Sequence, residues 1–121
     1  RRVTGGTSAG VTVGGAIHCE ADTAVANNVI EDAKDFGISM GWGDKCRNLS
    51  ATGNLIRDAG VGIVVSVTKG AGKILVANNL IAGGKLAIQG ADYETNKPGD
   101  LLAKGAIVPK HITLANNVRE T

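Results

Sequence analysis

The chain has 121 residues, enough for one domain or for one piece of a larger protein. Hydrophobic residues make up 43% of it, but it contains only one Trp, one Tyr and one Phe, so its core must be built from aliphatic side chains. Thirteen basic and 11 acidic residues give a net charge of +2, and this near balance, without aromatic stacking surfaces, argues against a nucleic-acid partner.

Two further classes are excluded by composition. Cys19 and Cys46 are too few for a disulfide framework and are expected to be free thiols that behave as small apolar side chains. No run of residues is long and apolar enough to predict a membrane span.

The N-terminal end begins with two arginines, as twin-arginine export signals do, but residues 3–10 lack the apolar core of such a signal. The sequence begins in the middle of the repeating pattern. In such a fold the side chains of Val11, Val13 and Ile17 would lie on an uncovered end of the stack. We therefore expect coils to be missing upstream, or another chain to cover this end by self-association. On this interpretation the sequence is the C-terminal part of a longer protein.

A short phrase built around asparagine occurs four times along the chain. Its copies are residues 26–30, 52–56, 77–81 and 115–119. The third residue of each copy is an asparagine: Asn28, Asn54, Asn79 and Asn117. The successive gaps are 26, 25 and 38 residues. The sequence therefore predicts a single repeat domain over residues 1–121, with one loop insertion at 90–111.

A second landmark has the same rhythm: Ile17, Ile38, Ile63 and Ile88. Around both landmarks apolar residues recur at every second position, which is typical of half-buried strands and not of the helices of a helical solenoid. No Asn-Gly or Asp-Gly hairpin turn links neighbouring strands, so equivalent strands of successive units should stack in parallel, about 4.8 Å apart. The pattern predicts an all-β parallel β-helix of about four coils, with two strands in each coil.

The last unit departs from the pattern in two ways. The apolar position two residues after each asparagine holds Ile30, Ile56 and Ile81, but Arg119 in the final copy, so residues 119–121 are predicted to form a polar closing cap. The connecting loops should leave one edge of the stack, at 20–22, 41–48, 66–73 and 90–111. In the longest of them, Asp100 is expected to cap a short helical turn over 101–104.

The asparagine column allows two interpretations. Its amides are either ligands for a sugar or a metal, or members of a ladder in which they bond to one another and to the backbone. We favour the ladder, because a buried amide without a partner is costly, and because asparagine tolerates the left-handed backbone of a tight corner.

Two aspartates occupy equivalent positions four residues after their asparagines. Asp32 and Asp58 would stack about 5 Å apart, close enough to hold calcium between carboxylate oxygens. Capping of a turn by aspartate is the alternative that we favour. Glu31 and Arg57 fall in the adjoining column and are expected to form a surface ion pair of little energetic weight.

The loops bring a cluster of candidate ligand-binding residues to one edge of the stack. Sugar rings stack on exposed Trp and Tyr side chains, and a β-eliminating lyase needs cations for the uronate and for proton transfer. A buried Trp42 and a loop edge without a cleft would weaken both the binding and the enzyme interpretations. The candidates are Trp42, Asp44, Lys45, Arg47, Lys69 and Tyr93.

Three segments also resemble a known family. Residues 41–43, 49–54 and 60–67 are similar to the C-terminal region of bacterial twin-arginine-translocated repeat proteins of unassigned activity, and the general pattern resembles the pectin-lyase-like class. The resemblance covers residues 16–119. It implies right-handed coils, export in the folded state and a periplasmic or secreted location, and it offers no catalytic residues.

Three functions are left open by the sequence. The chain is an exported module that binds polysaccharide or a cell-envelope partner, or part of a polysaccharide lyase or glycoside hydrolase whose site lies partly in upstream coils, or a purely structural capping and assembly segment. We lean towards a non-enzymatic role for this segment, and fold alone does not choose among the three.

Overall fold

The computed structural model describes residues 2–4 and 15–120. All regular structure in these residues is β-strand, and the strands stack in parallel into a β-solenoid of about three turns. The predicted parallel β-helix is thereby confirmed. Each full coil contains three strands, not the predicted two, and contributes one strand to each of three sheets.

The sheets are numbered here in the order in which a coil visits them. Sheet 1 contains β3 (Ala21–Ala26), β6 (Arg47–Thr52), β9 (Ile74–Ala77) and β13 (Ile112–Ala115). Sheet 2 contains β1 (Arg2–Thr4), β4 (Val29–Glu31), β7 (Leu55–Arg57), β10 (Leu80–Ala82) and β14 (Val118–Glu120). Sheet 3 contains β2 (Gly15–Cys19), β5 (Phe36–Met40), β8 (Val61–Ser66), β11 (Leu86–Asp92) and β12 (Thr95–Asn96), and its β11–β12 pair is antiparallel.

The core is a set of aliphatic columns inside the three sheets. Ile17, Ile38, Ile63 and Ile88 are direct partners in sheet 3, as predicted, and the last three have no exposed surface. Ile30, Ile56 and Ile81 form a second buried column in sheet 2. Burial of each of these isoleucine side chains stabilises the fold by roughly 1.5–3 kcal/mol. The stacked aliphatic columns therefore stabilise this protein without large aromatic side chains in its core.

The corner between sheets 1 and 2 holds the predicted asparagine ladder. Asn54 donates from its backbone N–H (3.0 Å) and its Nδ2 (2.9 Å) to Oδ1 of Asn79. The Asn54 Nδ2 also donates to the Val25 carbonyl at 3.0 Å. Asn28 and Asn79 make the equivalent pairs of bonds to the Oδ1 of the next asparagine. Asn54 and Asn79 are 2% and 1% exposed, so their amides are structural and face no ligand.

The left-handed residue at this corner is not the ladder asparagine but the residue before it. Asn27, Gly53, Asn78 and Asn116 have φ angles of 58°, 67°, 58° and 54°. Glycine and asparagine are the residues that adopt this conformation most readily. The two positions thus have separate roles, the first to turn the backbone and the second to bond the coils together.

The insertion between β11 and β13 closes the last turn of sheet 3, because β11 has no further parallel strand beside it in the described chain. The Asp100 carboxylate accepts hydrogen bonds from the N–H groups of Ala87 (2.7 Å) and Ile88 (3.1 Å). It also accepts one from the Leu102 N–H at 3.0 Å, so Asp100 caps the turn that follows it, as predicted. A side chain therefore satisfies backbone donors that another coil would otherwise pair with.

The rest of the insertion continues this cover. The Leu101 N–H donates to the Ile88 carbonyl at 2.8 Å, and the Lys97 N–H donates to the Gly90 carbonyl at 2.9 Å. Leu101, Leu102 and Val108 pack against the buried core. The longest loop thus serves in large part to cover the end of the solenoid's core.

Arg119 joins this cover from the last strand. Its guanidinium lies 3.1 Å from the Asp100 carboxylate and donates to the carbonyls of Gly84 and Lys85 at 3.3 and 3.1 Å. The residue predicted to belong to a polar cap is thus tied to the insertion. At the other end of the stack, Val11 and Val13 lie outside the described residues, and self-association through that end stays a prediction.

Both cysteines are free and buried, as expected. Burial raises the pKa of the Cys19 thiol, and the nearby Cys46 adds to the effect. Because both thiols are buried, we expect them to react with Ellman's reagent only after urea unfolds the chain, as followed by absorbance. For Cys19 the raised pKa adds to this protection, because the thiolate is the reactive form. Stability should fall as pH rises above about 8.5, where the unfolded chain releases the Cys19 proton more readily than the folded one. Rapid reaction of both thiols in the native state would contradict this.

Candidate ligand-binding site

The loop between β5 and β6 is fixed from several sides. Its first residue, Gly41, has a φ of 89° and donates from its N–H to the Cys19 carbonyl at 2.8 Å. The carbonyl of Gly43 accepts hydrogen bonds from Ser66 Oγ at 2.6 Å and from Cys46 Sγ at 3.8 Å. Trp42 therefore sits on a well-anchored loop with its ring on the surface, 45% exposed.

Tyr93 follows β11 directly and meets Trp42 across the stack. Their ring centroids are 6.0 Å apart and their planes are nearly perpendicular, at 84°. The Tyr93 hydroxyl donates to Asp44 Oδ1 at 3.3 Å, which holds the ring over the loop. A β-carbon at Gly43 would overlap the Tyr93 ring where it now lies, and Gly43 has a φ of 61°, so glycine allows this close contact between loop and ring. Three of the six predicted residues, Trp42, Asp44 and Tyr93, are thus brought together.

These rings border a cavity of about 210 Å³ on sheet 3. Phe36 lines it together with Trp42 and Tyr93, so all the aromatic residues of this chain lie around one cavity. In a chain that otherwise builds its core from aliphatic side chains, this concentration is the strongest sign of a binding site. Trp42 is exposed and the edge carries a cleft, so the outcome that would have weakened a binding or enzymatic role at this edge is not observed.

The polar residues of the cavity are acidic or neutral. Asp35 and Glu94 line it, with Ser39 and Asn96 as neutral hydrogen-bonding groups. The lining residues all belong to the described part of the chain, and none is a Lys, Arg or His. The cavity therefore has a local acidic character, although the whole chain carries a net charge of +2.

The predicted cations do not converge on this cavity. Arg47 starts β6 in sheet 1, where its guanidinium pairs with the Asp22 carboxylate at 3.0 Å. Lys45 and Lys69 are exposed on neighbouring loops and do not line the cavity. The loop that carries Lys69 does lie close, since a β-carbon at Gly70 would be 3.6 Å from Asp44 Cβ. The structure thus divides the predicted cluster into an aromatic, acidic part and a separate ion pair.

Asp22 has a perturbed ionisation within that ion pair. Hydrogen bonds from the Asn48 side chain and the Arg47 guanidinium, both at 3.0 Å, lower the pKa of its carboxyl. The bonds favour the charged form. The group is a stabilised anion on a solvent-exposed surface, and its environment is not that of a proton-transferring base.

Asp32 and Asp58 lie at the corner between sheets 2 and 3, together with Gly83. Their φ angles are 56° and 58°, and that of Gly83 is 69°, so all three turn the backbone there. The turn interpretation therefore accounts for both aspartates. Among residues 2–4 and 15–120, no group of three or more His, Cys, Asp or Glu side chains is placed to hold a metal ion. The neighbouring Glu31 and Arg57 form the predicted ion pair.

A larger cavity, of about 430 Å³, lies under the insertion. It shares no lining residue with the aromatic cavity and is bordered by Val67, Leu101 and the 90% exposed Ile107. Its walls belong to the segment that covers β11. Its position is that of a gap in the cover. Its charged lining residues are Lys97, Asp100 and Lys104, and the Asp100 carboxylate is already engaged by the backbone and by Arg119.

No family model, curated protein or solved structure matches this chain. The described residues include no helix that is long and apolar enough to cross a membrane. The site must therefore be interpreted from its own chemistry.

Several cavity residues were missed by the sequence analysis: Asp35, Phe36, Val64 and Glu94. One signal was present. Val64 is an apolar residue at an outward position of β8, between the buried Ile63 and Val65, where β5 has Ser39 and β11 has Gln89. A lone apolar side chain on an outer face is common, so Val64 indicates a site only together with the aromatic rings that line the same cavity.

Proposed function

We propose that the chain is a non-catalytic β-helix module that binds polysaccharide through the cavity of Phe36, Trp42 and Tyr93. The carrying observation is that all three aromatic residues of an otherwise aliphatic protein border one cavity. Aromatic rings offer flat apolar faces with a large contact area, which suits the apolar face of a sugar ring. The acidic and amide side chains beside them supply hydrogen bonds to hydroxyl groups.

Export to the periplasm or the cell exterior is part of this proposal. It rests on the resemblance of residues 41–43, 49–54 and 60–67 to twin-arginine-translocated repeat proteins. An exported protein encounters polysaccharides and the cell envelope, so the proposed location is consistent with the proposed ligand.

A structural role is the second candidate, and one observation favours it. The insertion and Arg119 cover the edge of β11 through Asp100, as a segment that closes a longer solenoid should. The lyase alternative is not supported by a comparable arrangement, because no Lys or Arg lines the aromatic cavity in the described chain. A cation there would be needed to neutralise a uronate.

Binding is tested by the intrinsic fluorescence of Trp42, since it is the sole tryptophan of the sequence. Titration with soluble polysaccharides should change the emission in a saturable way. Replacement of Trp42 by alanine should weaken retention in polysaccharide-containing native gels about tenfold, which corresponds to about 1.4 kcal/mol. Circular dichroism should be unchanged, because the ring is exposed.

The matched control is Val118→Ala, which removes another exposed apolar side chain, 56% exposed, from β14 in sheet 2. It should leave retention unchanged. Equal loss in both variants, or no retention of the parent chain by any polysaccharide, would refute the proposed function.

A further inference from the structure

The larger cavity, under the insertion, differs from the aromatic cavity in size and chemistry. Its volume of about 430 Å³ lies within the range of about 300–1,000 Å³ that small-molecule sites occupy. It shares no lining residue with the aromatic cavity. A ligand in it would therefore leave the proposed polysaccharide site free, and its binding is measurable separately.

The walls of this cavity are largely apolar. Val67 lies over Gly90, where a β-carbon would be 2.6 Å from Val67 Cγ1, so the lack of a side chain at Gly90 makes room for it. Leu101 lines the cavity and packs against the buried core. Ile107 also lines it and, at 90% exposure, is the most exposed large hydrophobic side chain of the described residues. An apolar ligand would remove this side chain from water, which favours binding.

Backbone hydrogen bonds fix the chain that frames the cavity. It is bonded to β11 at Lys97 and at Leu101, as described above. A turn follows in which the Ala106 N–H donates to the Ala103 carbonyl at 3.0 Å. Gly105, within this turn, has a φ of 85°, and a β-carbon there would meet no atom within 4 Å, so its backbone faces open space. The cavity is thus preformed, and a ligand enters without the cost of ordering a loop.

The charged residues of the cavity favour an anion. Lys97 and Lys104 line it, and neither takes part in the ion pairs of the described residues. Its one acidic lining residue, Asp100, is balanced by the Arg119 guanidinium at 3.1 Å and by backbone N–H groups. The ammonium group of lysine is a compact charge on a flexible stem, so both lysines are able to turn towards an anion at the mouth of the cavity.

We propose that this cavity binds a small amphipathic anion, which has an apolar body and one anionic head group. The apolar body lies against Val67, Leu101 and Ile107, and the head group pairs with Lys97 and Lys104. A medium-chain alkyl carboxylate is the simplest member of this ligand class. The site goes beyond the proposed function, because a sugar has no apolar chain to fill these walls.

The test is a titration of the full chain with octanoate, octanol and octylammonium, which share one alkyl chain and differ in the charge of the head group. Backbone amide chemical shifts, measured by NMR, report both binding and its location. Octanoate should shift the amides of Gly105 and Ile107 in a saturable way. At low ionic strength it should bind at least about fivefold more tightly than the other two, a modest factor because exposed ion pairs are weak. Added salt should reduce this advantage.

Two variants separate the contribution of charge from that of apolar contact. Lys104→Gln should weaken octanoate binding about twofold to threefold and leave octanol binding unchanged. Lys110→Gln, at an exposed site of the same insertion outside the cavity, is its control and should change neither. Ile107→Ser should weaken the binding of both molecules, whereas Val118→Ser, at an exposed apolar position of β14, should weaken neither.

The inference is overturned if octanol or octylammonium binds as tightly as octanoate, or if Lys110→Gln weakens octanoate binding as much as Lys104→Gln does. It is also overturned if octanoate shifts no amide of the cavity. None of these results bears on polysaccharide binding, which Trp42 fluorescence reports from the other cavity.

Discussion

Replacing Asn79 with alanine is expected to lower the free energy of unfolding by about 4 kcal/mol. The Asn79 Oδ1 accepts from the backbone N–H and the Nδ2 of Asn54, and its Nδ2 donates to the Ala51 carbonyl and to Asn117 Oδ1. Alanine removes all four bonds and leaves partners without a replacement. Each bond contributes about 1 kcal/mol, and a buried group left unpaired costs about 1–3 kcal/mol.

The neighbouring residue provides a sharp control. Asn78 is exposed and has a φ of 58°, and the equivalent position in the coil before it is Gly53. Asn78→Gly should therefore change stability by no more than about 1 kcal/mol. Urea denaturation followed by circular dichroism measures both variants. A loss below about 1.5 kcal/mol for Asn79→Ala, or equal losses for both substitutions, would show that the ladder is not a major stabilising feature.

Replacing Asp100 with alanine is expected to cost about 3–4 kcal/mol and to detach the insertion from β11. The side chain of Asp100 is 12% exposed and accepts from the N–H groups of Ala87, Ile88 and Leu102 and from the Arg119 guanidinium. Removing one member of a largely buried ion pair leaves the other charge uncompensated, which typically costs about 3–5 kcal/mol. Arg119 keeps its bonds to Gly84 and Lys85, so the lower part of this range is expected.

Hydrogen exchange locates the effect of this substitution. The amides of Ala87 and Ile88 should exchange much faster in Asp100→Ala, whereas amides of the inner strand β8 should be affected only through global stability. Lys104→Ala, an exposed position in the same insertion, is the control and should leave exchange unchanged. Protection of both amides in the aspartate variant would mean that another group covers the edge of β11.

The repeat allowed the fold to be predicted from the sequence. In a parallel solenoid a strand's partner is the same strand one coil away, so the recurrence of Asn28, Asn54 and Asn79 states the pairing directly. The three-residue strands of sheet 2 were not recognised as separate strands, because three residues are too few to show an alternating pattern. The left-handed position was assigned one residue too late, since each of three corners carries two asparagines in succession.

The candidate site could be predicted from the sequence only in part. Trp42 and Asp44 come from the loop at 41–48 and Tyr93 from the insertion at 90–111, and the period of the repeat placed both loops on one edge. The separation of Arg47 from them was not predictable, because it depends on which face of the coil receives the first residue of β6. Phe36 opens β5 in the repeating ladder of sheet 3, but a single aromatic residue in its column gave no pattern to indicate a site, and Glu94 joined the site through the path of a loop that has no periodicity.

The sequence by itself determined the architecture: strands in parallel register, aliphatic columns inside, an asparagine ladder at one corner and one insertion. These features repeat, and a repeated local pattern is a statement about long-range contacts. Only the tertiary structure decided what the non-repeating residues do. It made the insertion a cover for β11, because Asp100 reaches backbone donors 12 and 13 residues away. It also placed the rings of Trp42 and Tyr93, through loop conformations that no period encodes, beside a cavity that Phe36 of β5 lines as well.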